Sequence, residues 1–193
     1  MAGLGVFGPF VMDHIGVGFG EGVAFVQMTI FFVFVGCLIA IAAFDLATYT
    51  IPNSISLVLI ALFVCAAILL PNEISVLSHV CSFLIVFAVG LVAFRFGAFG
   101  GGDVKSWAAV ALWFGLGSLP YQVGAIALIG GIFGIIMIGL RRVLASTNSR
   151  ENERAVALPK IFLPNQPIPY GLAIATGSAL NVIHIPFFQG VFS

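Results

Sequence analysis

VAFVQMTIFFVFVGCLIAIAAFDLATYTIPN, residues Val23–Asn53, decides the fold class. From Val23 to Phe44 it carries no charged side chain. A helix needs about 20 mostly apolar residues to cross a bilayer core. Asp45 closes the run, and Pro52 breaks the chain that follows. The run is continuous and lacks the period-2 alternation of barrel strands, so a helix is expected.

Working outward from that stretch, five further apolar runs follow: Ser54–Leu70, Ser78–Phe94, Val104–Leu119, Gln122–Leu140 and Tyr170–Phe187. Pro71 ends the second span and Pro120 the fourth. The expected architecture is an all-α polytopic bundle of about six transmembrane helices. It is preceded by a Gly- and Phe-rich interfacial tail over residues 1–22 and interrupted by a cytoplasmic loop over residues 141–169. In the fifth run, Gly130, Gly131 and Gly134 form a small-residue face suited to close helix packing.

Composition agrees with the runs. The chain of 193 residues is 61% hydrophobic and only 7% charged, with seven Lys+Arg against seven Asp+Glu. Mean hydropathy is +1.21. Soluble domains carry about 25% charged residues, so these few charges cannot cover a water-facing surface. Disorder requires low hydrophobicity and high net charge. A nucleic-acid partner requires a basic footprint, which is absent. The partner implied by composition is the lipid bilayer.

All seven basic residues fall on two links. Arg95 and Lys105 flank the third-to-fourth link; Arg141, Arg142, Arg150, Arg154 and Lys160 occupy the fifth-to-sixth. Basic residues collect on the cytoplasmic side, which places both links and the Asp45–Asn53 segment inside and both termini outside. The N-terminal stretch has no basic region and does not resemble a signal peptide.

Five of the seven acids, Asp13, Glu21, Glu73, Glu151 and Glu153, fall in polar or terminal segments. Asp45 and Asp103 abut apolar spans. A carboxylate within a membrane costs about 2.5–3.5 kcal/mol on insertion scales and marks a functional candidate. At a helix C-terminus, Asp45 is further disfavoured by about 0.3–1 kcal/mol. Its structural alternative is a solvated Asp just past the membrane edge. After Pro52, Asn53 and Ser54 are expected to cap the next helix. Asp103 follows Gly100-Gly101-Gly102, and its structural alternative is an N-cap. Three glycines suit close approach of another backbone.

Both acids are expected at cytoplasmic span ends, where they can meet at one depth. Two close carboxyl groups share a proton. One can then take a proton from water while the other donates to a scissile carbonyl oxygen, which is general acid–base hydrolysis. An ion site in a transporter or channel is the competing use, and a purely structural membrane subunit is a third. Metal is not expected: His14, His79 and His184 map to the opposite side. Cys37, Cys65 and Cys81 lie singly in apolar runs. Lys105 is either a charge partner of the acids or a snorkelling anchor.

The segments DLATYTIPN (Asp45–Asn53) and FGGGDVK (Phe99–Lys105) resemble the type IV prepilin peptidases, membrane aspartic proteases with a G-x-G-D signature. Gly100, Gly101, Gly102 and Asp103 match that signature, and Asp45 with Ile51-Pro52-Asn53 matches the other half of the pattern. Ile168-Pro169-Tyr170-Gly171 looks like a third element. The resemblance covers roughly Phe34 to Ala175. It implies Asp45 and Asp103 as catalytic residues. Gly100, Gly101, Gly102, Pro52, Asn53, Lys105, Pro169 and Gly171 are then substrate-binding or loop residues. It implies no cofactor and no metal. The partners implied are a prepilin or pilin-like membrane substrate and the pilus assembly or secretion machinery. The place implied is the inner membrane, with the acids at the cytoplasmic face. Longer members carry an N-terminal cytoplasmic domain with paired cysteines, linked to N-methylation. This chain looks like the short form found with tight-adherence (Flp-type) pili. Archaeal preflagellin peptidases are a related branch of similar size.

Overall fold

The computed structural model describes residues 8–71, 74–148 and 168–189, with side chains from residue 22 up to 144 and from 168 onward within those bounds. Five α-helices follow in order: α1 Gly8–Thr48, α2 Asn53–Leu69, α3 Val76–Arg95, α4 Gly101–Asn148 and α5 Tyr170–Leu180. Two 3₁₀ turns, Val182–His184 and Pro186–Phe188, complete the described chain. No strand occurs among the described residues. Among the described residues, three stretches are long and apolar enough to cross a membrane: Gly22–Thr48, Val76–Arg95 and Gly101–Leu144. Helices α2 and α5 are apolar but shorter, at 17 and 11 residues. At 1.5 Å per residue α5 is only about 16 Å long.

The first segment of α4 is the bundle's axis. Ser106 and every residue from Trp107 to Phe114 are buried, as expected of a helix surrounded on all sides. Taken as a whole, α4 packs against α3, α5 and α2. Trp113 donates its indole N–H to the Leu59 carbonyl of α2 at 3.2 Å, and Ser56 meets Ser106 at 3.3 Å. Around Trp113 the rings of Phe34, Phe63, Phe187 and Phe188 pack with centroids 5.3–5.9 Å away, a separation at which aromatic pairs attract.

The chain turns within α4 at Gly115, not at Pro120 as the sequence suggested. Gly115 has φ 64° and ψ 171°, backbone that L side chains rarely adopt. Pro120 lies in the following helical segment. The break leaves two groups without their ladder bond, the Leu112 carbonyl and the Leu116 N–H. Helix α3 supplies both partners. Ser78 Oγ accepts the Leu116 N–H at 2.9 Å, and His79 Nδ1 lies 2.7 Å from the Leu112 oxygen. A carbonyl only accepts, so Nδ1 carries the proton. His79→Leu should therefore cost about 1–3 kcal/mol by orphaning that carbonyl. A lowered Tm in detergent would register it, and an unchanged Tm would contradict the splice.

Beyond Gly115, α4 runs back antiparallel to α5. A Cβ on Gly177 would lie 2.8 Å from Ile126, and one on Gly130 would lie 3.3 Å from Ala173. Gln122 donates to Ser178 at 3.1 Å. Gly130 thus serves the close packing expected of it, whereas Gly131 faces open space. Ser118 donates to the His184 carbonyl, and the Tyr121 ring stacks on His184 at 4.8 Å. The His79, Gly115 and His184 region therefore forms one end of the bundle. The ends of α1 and α3 and the starts of α2, α4 and α5 form the other. The backbone of the Gly- and Phe-rich segment from Gly8 onward continues into α1. The connection over 141–169 begins as helix up to Asn148; its remainder up to residue 167, with Arg150, Arg154 and Lys160, lies outside the described residues.

Candidate active site

Asp45 lies one turn before the end of α1 and is only 4% exposed. Its burial at the negative end of a helix is offset from elsewhere. Gly171, the second residue of α5, donates its backbone N–H to Asp45 Oδ2 at 2.5 Å, and the Leu172 N–H adds a second backbone contact. The N-terminus of α5 carries partial positive charge and unpaired N–H groups, so the start of one helix compensates the end of another. Pro169, extended at φ −72° and ψ 92°, precedes the first turn of α5. The approach leaves no room for a side chain: a Cβ on Gly171 would lie 2.8 Å from both Asp45 Cβ and Oδ2.

Asp103 is placed by the turn between α3 and α4. Helix α3 ends in a Schellman motif. Gly97 takes φ 72°, its N–H bonds the Phe94 carbonyl, and the Ala98 N–H bonds Ala93, both at 2.9 Å. Phe99 then anchors the loop, edge-on to Tyr170 at 4.8 Å and to Trp107 at 5.6 Å. Helix α4 starts at Gly101, so Gly100 holds the cap position and Asp103 is the third helical residue. The structural alternative of Asp103 as the N-cap residue itself is therefore not what the chain adopts. Its Oδ2 reaches back to accept the Gly100 N–H at 3.0 Å, the return half of a capping box. Asp103 is half-buried and its other oxygen is not used by this bond.

The two acids line one cavity of about 460 Å³, together with Tyr49, Gly97, Ala98, Phe99, Gly100, Ile168 and Tyr170. A second cavity of about 210 Å³ adjoins it, sharing Tyr49, Gly100 and Asp103 and adding Thr50, Ile51, Asn53, Gly101 and Gly102. A slightly larger cavity, about 470 Å³, lies among apolar residues such as Phe63, Phe83 and Leu112 and contains no titratable group. Such a constellation of two carboxyls in a walled, partly apolar recess suits proton transfer to and from a bound molecule. Among the described residues, no three of His, Cys, Asp and Glu come together.

The remaining residues singled out from the sequence divide. Gly102 packs on this chain's own Ile51, its would-be Cβ 3.4 Å from the Ile51 nitrogen. Gly101 makes only ordinary contact with Phe94. Since Gly102 has room at van der Waals distance, Gly102→Ala should leave activity within about threefold of wild type; a larger loss would mean that a bound molecule approaches there. Pro52, extended at ψ 134°, takes the cap position of α2, and no side chain caps that helix. Asn53 instead accepts a hydrogen bond from Lys105 Nζ at 3.1 Å. Both residues line a further pocket beside α2 and α3 that neither acid lines, and Lys105 lines neither cavity of the acids.

Tyr49, Phe99, Ile168 and Tyr170 were not anticipated in the cavity wall. Tyr49 stands inside the stretch Asp45–Asn53, but nothing in its spacing announces the positive φ that turns it inward.

The family model described as the type IV leader peptidase family matches residues 32–135. No curated protein and no solved structure matches the chain.

Proposed function

Because the chain belongs to the type IV leader peptidase family, we propose that it is a membrane aspartic endopeptidase that removes the basic leader from type IV prepilin-like proteins, with Asp45 and Asp103 as its catalytic pair. The single observation that carries this reading is the shared cavity of Asp45 and Asp103, built from three separate helix ends and held by backbone N–H groups.

The chemistry follows from two carboxyl groups holding one proton. The ionised member accepts a proton from a water molecule, whose oxygen adds to the scissile carbonyl carbon. The protonated member donates to the carbonyl oxygen. Collapse of the tetrahedral adduct breaks the C–N bond. The amine nitrogen leaves with a proton, and a carboxyl group remains on the leader. The peptide must be extended at that point, since a helical carbonyl is already hydrogen-bonded along the helix.

The substrate class fits this end of the bundle. A short basic leader followed by an apolar helix presents its cut at a membrane edge, and both acids sit at helix ends rather than midway along them. Basic Arg95 and Lys105 flank the same end, favouring a cytoplasmic orientation. Six crossings result if the two segments of α4 are counted separately and α5 is extended by the two 3₁₀ turns. Co-expression with a small pilin-like protein tests the proposal. Loss of the leader, followed by mass spectrometry of the product, is expected with the wild-type chain, and an intact leader would contradict it.

A further inference from the structure

Tyr49 is half-buried, and its hydroxyl oxygen is fully enclosed with no hydrogen-bond partner among the described residues. An enclosed phenol without a partner costs stability. Its position makes that cost informative. Tyr49 lines both adjoining cavities, between Asp45 on one side and Gly100 to Asp103 on the other.

The backbone points the same way. Tyr49 has φ 55° and is the single non-glycine residue of positive φ among those described. It follows the last residue of α1, where its N–H bonds the Asp45 carbonyl at 3.0 Å. That position is usually Gly or Asn, because a Cβ is disfavoured there. Two threonines brace the turn. Thr48 Oγ1 lies 2.8 Å from the Phe44 carbonyl and 3.0 Å from both the carbonyl and hydroxyl of Thr50. A bulky aromatic is thus held in strained backbone where it lines both cavities, its polar tip enclosed and without a partner among the described residues, a combination found where strain serves a site.

We infer that the Tyr49 hydroxyl donates a hydrogen bond to a main-chain carbonyl of the extended peptide bound at Asp45 and Asp103. A phenol O–H donates one proton and the carbonyl accepts it; no bond other than the hydrogen bond forms. The peptide then satisfies a polar atom that has no partner among the described residues. This inference rests on the peptidase reading above.

Tyr49→Phe tests it, since only the oxygen is removed. The probe is a synthetic peptide with a short basic leader and an apolar stretch, cleaved by the purified full chain in detergent. The expected result is a Tm equal to or above that of wild type, because an unpaired buried hydroxyl is gone, with kcat/KM lower by about tenfold or more. Replacing the carbonyl next to the cut with a thioamide, a weaker acceptor, should slow the wild type and leave Tyr49→Phe unaffected. The inference alone is overturned if the wild type cleaves, Asp103→Asn does not, and Tyr49→Phe retains full kcat/KM. It is equally overturned if the thioamide slows both chains alike. A wild-type chain that leaves the peptide intact overturns this inference and the peptidase reading together.

Discussion

Asp45→Asn and Asp103→Asn should each lower leader cleavage by about a thousandfold, within the range of 10²–10⁴ for loss of a positioned acid or base. Asparagine preserves the shape of both sites. Its carbonyl oxygen can still accept the Gly171 N–H at position 45 or the Gly100 N–H at position 103, so the helix ends stay where they are. What is lost is the ability to take or give a proton. An effect of this size with unchanged expression and Tm separates chemistry from folding. If either variant retains more than a tenth of wild-type cleavage, that residue is not one of the proton-transferring groups.

Gly171→Ala should lower cleavage by about a hundredfold although residue 171 transfers no proton. The added Cβ would meet Asp45 Cβ and Oδ2 at 2.8 Å and Cγ at 3.0 Å, distances that real Cβ atoms do not tolerate. Either the start of α5 withdraws or the Asp45 side chain rotates. Both movements break the 2.5 Å bond from the Gly171 N–H that orients the carboxyl group. Misplacing a reacting group by about 1 Å costs on the order of 10²-fold. Gly131→Ala is the matched control, because a Cβ there meets nothing within 4 Å on the same bundle. It should cleave at the wild-type rate. Equal losses in the two variants would mean that alanine harms glycine positions generally and that the close approach to Asp45 is not special.

The parts of this picture that were legible in the sequence are those fixed by local pattern. The uncharged run Val23–Phe44 needed no partner to declare a helix, and it lies within α1. The two acids next to apolar spans stood out because lipid penalises charge, and they do line one cavity. What stayed hidden depends on contacts between distant residues. Pro120 looked like the end of a span, yet the turn falls at Gly115 because Ser78 and His79 on α3 supply the bonds that a break there removes. That Gly100 takes the cap position, with Asp103 reaching back to it from the third residue of the helix, has no signature in the sequence either. Gly171 was noticed only as part of a motif; that its N–H offsets the burial of a carboxyl 126 residues away required the fold. Tyr49 lay in plain view within Asp45–Asn53, but a positive φ at an aromatic residue has no sequence signature.

The central claim is that Asp45 and Asp103 act as one unit. The most direct measurement is a double-mutant cycle on cleavage of the synthetic leader peptide by purified chains. Groups that share a step are strongly non-additive. Asp45→Asn, Asp103→Asn and the double variant should therefore all fall to the same residual rate. A double variant slower than either single one by the product of their separate losses would mean that the two acids work independently, and the shared-proton mechanism would be wrong.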